Sequence, residues 1–278
     1  MDNHIKIIID GVDDVDSLLG LLSLLPFEGF EEDVKAVVAY IPKEKWQADV
    51  IGEVETLAQQ FQGRLTVEEI PFENWNQSWE EGYDEVVIDD ICRIYAPFHT
   101  ENPNSFDTEI QILPQMAFGT GHHETTEMMI RLMYKNKSSI EGKSCLDFGA
   151  GSGVLAIYAG LNGGKEIVAV EIDRYAALNM EENFAINHTL FIEGYCGDVS
   201  ALPKNRQYDL ILANVTRNVI TEHLSFFKDS LLDGGKLLIS GILVKDEDYM
   251  ESAGQQHNFK VTDRLHKGKW CAMELTQK

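Results

Sequence analysis

The sequence predicts an α/β protein. A doubly wound, mostly parallel sheet ends in antiparallel strands and is preceded by a small α+β domain. Three observations carry this. The first 70 residues order as β-α-β-β-α-β. From Ser144 onward, apolar strands alternate with helices. At one strand–helix junction, Leu146-Asp147-Phe148-Gly149-Ala150-Gly151-Ser152-Gly153, three alternate glycines fall where a parallel sheet places its ligand loop.

The elements follow in order. Ile5 to Ile9 reads as a strand. Asp13 to Leu25 reads as a leucine-rich helix, with Asp13 or Asp14 as cap and Pro26 as stop. Gly29–Glu32 and Val34–Tyr40 read as short strands. Val50, Val54, Leu57 and Phe61 recur at helical spacing, so Asp49 to Phe61 is a helix, and Leu65 to Ile70 closes the region as a strand. This is the split βαβ, ferredoxin-like pattern, assigned to residues 1–70. A connector, 71–85, carries Trp75 and Trp79 four residues apart, on one face of a helix. They are read as pinning two domains together rather than touching substrate.

The larger domain is assigned to 86–278. Val86–Ile94 and Ile110–Leu113 read as strands, and His123 to Tyr134 as a helix. Strand and helix then alternate: Ser144–Phe148, Val154–Leu161, Ile167–Ile172, Arg174–Asn187, Asp209–Asn214, a helix near Thr221–Leu231, and Lys236–Ile242. A weaker strand precedes Gly197-Asp198. Phe259–His266 and Trp270–Thr276, joined at Gly268, read as a terminal hairpin that adds antiparallel strands.

Bulk properties narrow the function. The formal charge of −23 over 278 residues opposes long-range attraction to nucleic acid; it favours a basic partner, or serves solubility. Cys92, Cys145, Cys196 and Cys271 form no C-x-x-C pair, which suits a reducing cytosol. Met1-Asp2-Asn3-His4 lacks a signal-peptide pattern, and Leu18–Phe27 is too short to span a bilayer. A cytoplasmic protein without membrane contact is expected.

The glycine turn supplies close backbone approach and a helix N-terminus. A dinucleotide fingerprint needs glycine at position 154, where this chain has valine. The pattern therefore points to a nucleoside ligand without pyrophosphate, such as S-adenosylmethionine, and against a nicotinamide-dependent oxidoreductase. Glu171 ends the next strand, about 20 residues on, where a carboxylate accepts from ribose hydroxyls. Asp173 is its rival. Asp198 either meets a purine amino group or caps a turn. Asn214 ends a buried strand, where an unpaired amide is costly, and its carbonyl suits an amine nucleophile. Thr125 and Thr126 follow a second glycine-containing loop, Phe118 to His123. The adjacent His122 and His123 lack a suitably spaced third ligand, so no metal is expected.

Taken together, these residues resemble the bacterial ribosomal protein L-11 methyltransferase (PrmA) family. Ala117 to Thr126 matches the family's Ala-Phe-Gly-Thr-Gly-Thr-His-Pro-Thr-Thr with two changes, His122 and Glu124. Asp147 to Ile157, Val170 to Asp173, Ile239 to Leu243 and Trp270-Cys271-Ala272 match further motifs; Ala213 to Arg217 matches in part. The resemblance implies a class I S-adenosylmethionine-dependent methyltransferase fold and transfer of methyl groups to lysine or N-terminal amines of ribosomal protein L-11. It implies cofactor contacts at Thr126, Gly149, Gly151, Glu171 and Asn214, with Asn214 also facing the incoming amine. The amino-terminal domain would hold the substrate. Arg217, a departure from the family pattern, is expected to narrow the amine entrance or pair with Glu124. His123 is a proton-acceptor candidate by position alone. Two other readings stay open: a methyltransferase with another acceptor, and a non-catalytic binding module.

Overall fold

The structure, a computed structural model, describes residues 4–33, 35–70, 83–114 and 121–278. Trp75 and Trp79 of the expected connector, and Ala117 to Thr120 of the second glycine loop, lie outside the described residues. The chain divides into two compact units, 1–82 and 83–278.

In the first unit, β1 (His4–Asp10), α1 (Val15–Leu22), β2 (Gly29–Asp33), β3 (Ala36–Pro42), α2 (Ala48–Gln60) and β4 (Arg64–Ile70) follow one another. Its antiparallel sheet has the order β2-β3-β1-β4. In β1 alternate residues Ile5, Ile7 and Ile9 turn inward, as the two-residue period of a strand requires. They meet Leu18 and Leu22 of α1 and Val50, Val54 and Ala58 of α2, each set at helical spacing. Asp14 caps α1, its carboxylate accepting from the Ser17 N–H at 3.2 Å.

The second unit opens with β5 (Val86–Ile88), β6 (Cys92–Tyr95) and β7 (Thr108–Gln111), a separate three-stranded sheet. The single strand expected over Val86–Ile94 is thus two strands paired antiparallel. Asp89 takes φ +47 and turns the chain between them, a conformation that aspartate tolerates better than most residues. Arg93, only 3% exposed, ties this sheet together by donating to Glu85, Glu109 and the Thr100 carbonyl.

Next come α3 (Glu124–Lys135), β8 (Ser144–Phe148), α4 (Val154–Leu161), β9 (Glu166–Glu171), α5 (Arg174–Ile186), β10 (Glu193–Cys196), β11 (Tyr208–Asn214) and α6 (Arg217–Ser230). They are followed by β12 (Leu231–Leu243), α7 (Glu247–Gln256), β13 (Phe259–Lys267) and β14 (Trp270–Gln277). The sheet order is β10-β9-β8-β11-β12-β14-β13, and β14 alone runs antiparallel, inserted between β12 and β13, so the expected terminal hairpin adds one reversed strand and leaves β13 at the edge running with the rest. Residues of α3, α4 and α5 form the apolar cluster on one face, and residues of α6 and α7 the cluster on the other. Burial on both faces explains why Ile167–Val170 and Leu210–Ala213 are unbroken apolar runs. The chain leaves β8 toward β9 and β10, then returns to β11 on its other side. That reversal is the switch point beside which open α/β sheets bind ligands.

Helix α7 was not expected from the sequence. Only Met250, Ala253 and Gly254 are buried on it, two of them small, so its apolar stripe is weak. Among the described residues, no helix is long and apolar enough to cross a membrane.

Candidate active site

A cavity of about 670 Å³ opens at the C-terminal ends of β8, β9 and β11. The strand ends and their following loops build it. Gly149 and Gly151 of the turn after β8, Glu171 at the end of β9 and Asn214 at the end of β11 all line it. Thr126 does not; it is fully buried on α3, and the Asn214 side-chain amide reaches its hydroxyl at 3.5 Å. Its neighbour Thr125 lines the cavity instead.

Gly149, Gly151 and Gly153 have φ of +70, +55 and +80. Gly149 has a second constraint. A Cβ there would lie 2.3 Å from Val215 Cγ1, so the turn and the loop after β11 approach more closely than any side chain allows. Both Gly149 and Ala150 donate their N–H groups to the Val170 carbonyl, fixing the turn against β9.

Glu171 is locked by its neighbours. Its Oε2 accepts the Gly151 N–H at 2.8 Å and its Oε1 the Asp173 N–H at 2.9 Å. A carboxylate offers about four lone-pair positions, so capacity remains for a ligand. The Asp173 carboxylate is engaged elsewhere, capping α5 by accepting from Tyr175 and Ala176. Asp198 lines the cavity and also accepts the Ser200 N–H at 2.8 Å. Its hydrogen bonds from Ser200 hold its carboxyl below the usual range. Beneath the turn, Asp147 is 1% exposed and accepts the Ala156 N–H at 3.0 Å. Burial, with a smaller contribution from the Glu171 charge, pushes its pKa up to about 7 against the opposing pull of the Ala156 N–H.

Asn214 carries the most informative atom. Its Oδ1 is buried with no hydrogen-bond partner among the described residues. An unpaired buried acceptor costs about 1–3 kcal/mol. A ligand that brings an N–H recovers that cost.

His123, expected as a proton acceptor, is the cap of α3. Its Nδ1 accepts the Thr125 N–H at 3.3 Å and lies 2.8 Å from the Thr125 hydroxyl. The lone pair a base would use is therefore already engaged, and the ring packs edge-on to Trp270 at 4.8 Å. His122 points to the Asp84 carbonyl, 2.8 Å away. Arg217 donates to Asp246 and Asn218 rather than to the expected Glu124.

Val219, Glu222 and His223 of α6, and Gly241 of β12, are not marked as site residues by the sequence, although all four line the cavity. Nothing local distinguishes them; their strands and helix converge only on folding.

The profile of the ribosomal protein L11 methyltransferase (PrmA) family matches residues 24–278. The chain belongs to that family. A ribosomal protein L11 methyltransferase of Porphyromonas gingivalis is 34% identical over 256 residues, covering 90% of this chain and 86% of that protein. One from Phocaeicola vulgatus is 32% identical over 270 residues, covering 96% and 94%. The crystal structure of a ribosomal protein L11 methylase from Lactobacillus delbrueckii subsp. bulgaricus superposes with a TM-score of 0.64 at 24% identity. It covers 70% of this chain and 100% of its own, and supports the fold.

This family member is an S-adenosylmethionine-dependent methyltransferase. The cavity fits that cofactor on its own chemistry. Among the described lining residues there is no lysine or arginine to neutralise a pyrophosphate, and the Gly151 N–H already donates to Glu171. A cationic sulfonium suits such walls, and the volume lies within the usual range of cofactor sites, about 300–1,000 Å³.

Proposed function

We propose that this PrmA family member transfers methyl groups from S-adenosylmethionine to amines of ribosomal protein L11, at lysine side chains, the N-terminal α-amine, or both. The observation that carries this reading is Asn214 Oδ1: a buried acceptor without a partner among the described residues, on a cavity wall beside the glycine turn.

S-adenosylmethionine supplies a methyl group on a sulfonium that is already a good leaving group. What remains for the protein is orientation and proton removal. Glu171 accepts from the ribose hydroxyls, held in place by the Gly151 and Asp173 N–H groups. Gly149 and Gly151 present bare backbone to the cofactor. Thr126 supports Asn214 from behind, its hydroxyl 3.5 Å from the side-chain amide nitrogen. A lysine amine has an ordinary pKa of about 10.4, and removal from water favours its neutral form. Asn214 Oδ1 then accepts one amine N–H and aims the lone pair. Held this way, the two reactants gain most of their rate from orientation rather than from acid–base chemistry.

The smaller domain, assigned to residues 1–70, is the substrate-recognition domain, joined through a connector over 71–85 to the methyltransferase domain over 86–278. The net charge of −23 complements a basic ribosomal protein, free or on the large subunit, and opposes direct nucleic-acid binding. The protein acts in the cytoplasm without membrane contact.

The test is mass spectrometry of unmethylated L11 after incubation with the protein and S-adenosylmethionine. Increments of one methyl each on lysines or the N-terminal amine support the reading. No increment, with cofactor binding retained by calorimetry, moves the search to another acceptor.

A further inference from the structure

His223 lies on α6 with its ring on the cavity wall. Its Nδ1 sits 2.9 Å from the Val219 carbonyl oxygen, one turn back on the same helix. A carbonyl only accepts, so Nδ1 carries the proton and Nε2 of the neutral ring keeps its lone pair. The tautomer is opposite to that of His123, whose Nδ1 is the acceptor. Aromatic neighbours hold the ring: Phe148 at 4.8 Å and Phe227 at 6.2 Å between centroids. Among the described residues, no hydrogen bond reaches Nε2. Asp198 lines the same cavity and lies within electrostatic range of His223.

The cavity therefore presents a carboxylate and, beside the Phe148 ring, an imidazole nitrogen, both acceptors. Among the described lining residues it has no cationic side chain. An aromatic heterocycle bearing an N–H donor fits it. We propose that His223 Nε2 accepts the exocyclic amino group of the cofactor's purine, so that His223 selects a 6-aminopurine over its 6-oxo counterpart. The assignment rests on the reading of this cavity as the S-adenosylmethionine site. A 6-oxo purine would set a carbonyl oxygen against the Nε2 lone pair, acceptor against acceptor.

The experiment is calorimetric titration of S-adenosylhomocysteine and S-inosylhomocysteine into the wild-type protein, His223→Phe and His223→Gln. The wild type is expected to prefer the adenosyl ligand. His223→Phe should cut that preference roughly three- to tenfold, the worth of one hydrogen bond, and His223→Gln, whose carbonyl accepts, should restore most of it. An equal preference in wild type and His223→Phe overturns the proposal. Because the preference is a ratio within one protein, partial unfolding of a variant does not mimic the effect. Should His223→Phe not fold, the ¹⁵N shift of His223 Nε2 in the wild type decides: a shift on adding S-adenosylhomocysteine supports the bond, and an unmoved signal refutes it. If the wild type binds neither nucleoside, the cofactor reading of the cavity fails, an outcome distinct from an unchanged preference.

Discussion

Replacing Asp147 by asparagine removes a carboxyl group that the fold keeps protonated to near neutral pH. Asp147 is 1% exposed, and its Oδ2 accepts the Ala156 N–H at 3.0 Å. Burial is the main cause that carries its pKa from an ordinary 3.8 up to about 7, and the Glu171 charge adds to it. The native state thus holds a proton that the unfolded chain has already released between these two values. Stability from this group falls as pH rises through that window and is level above it. Each pH step inside the window costs about 1.4 kcal/mol, so about 3 kcal/mol separates pH 5 from pH 8. The asparagine carbonyl still accepts from Ala156 and does not titrate. Urea unfolding of both proteins at these two pH values gives the difference directly. Asp209 and Glu274, whose carboxyls are held low by hydrogen bonds against the cost of burial, contribute stability that is lost only as pH falls through the ordinary carboxylate range, below both of these pH values. They act equally in both proteins and cancel in the difference. Asp147→Asn should gain roughly 3 kcal/mol on the wild type between pH 5 and pH 8. A difference that stays constant over that range refutes the buried-proton account.

Asn214→Ala should lower turnover on the order of 100-fold while leaving S-adenosylmethionine affinity within a few-fold, read by steady-state kinetics beside calorimetry; near-normal turnover would remove Asn214 from the mechanism. Gly149→Ala combines a left-handed backbone with a Cβ 2.3 Å from Val215 Cγ1. It should cost about 1–3 kcal/mol in thermal unfolding, and adding Val215→Ala should return only part of that, since the φ penalty stays. Arg93→Ala leaves Glu85 and Glu109 without their shared cation. Both carboxylates are partly solvated, so the expected loss is about 2–4 kcal/mol in chemical denaturation, and a loss below about 1 kcal/mol would mean that solvent replaces the arginine.

The amino-acid sequence by itself determined the order of elements in the first unit, most of that order in the second, and the placing of the glycine turn. Apolar periodicity in β1 and α2 and the unbroken runs of β9 and β11 report directly which faces meet water. Three alternate glycines at a strand end announce a backbone that no other residue follows, and the ends of the next apolar runs single out Glu171 and Asn214; all but the third glycine line the cavity. The tertiary structure decided what those groups do with their lone pairs. Asn214 and Thr126 meet across 88 positions of chain, and no local pattern records that contact. The turn at Asp89 and the weakly striped α7 depend on packing against other elements, so periodicity passed over both. The protonation of Asp147 and the opposite tautomers of His123 and His223 are set by burial and by the nearest backbone groups. Sequence names the ionisable group; desolvation and hydrogen bonding, which exist only after folding, fix its state.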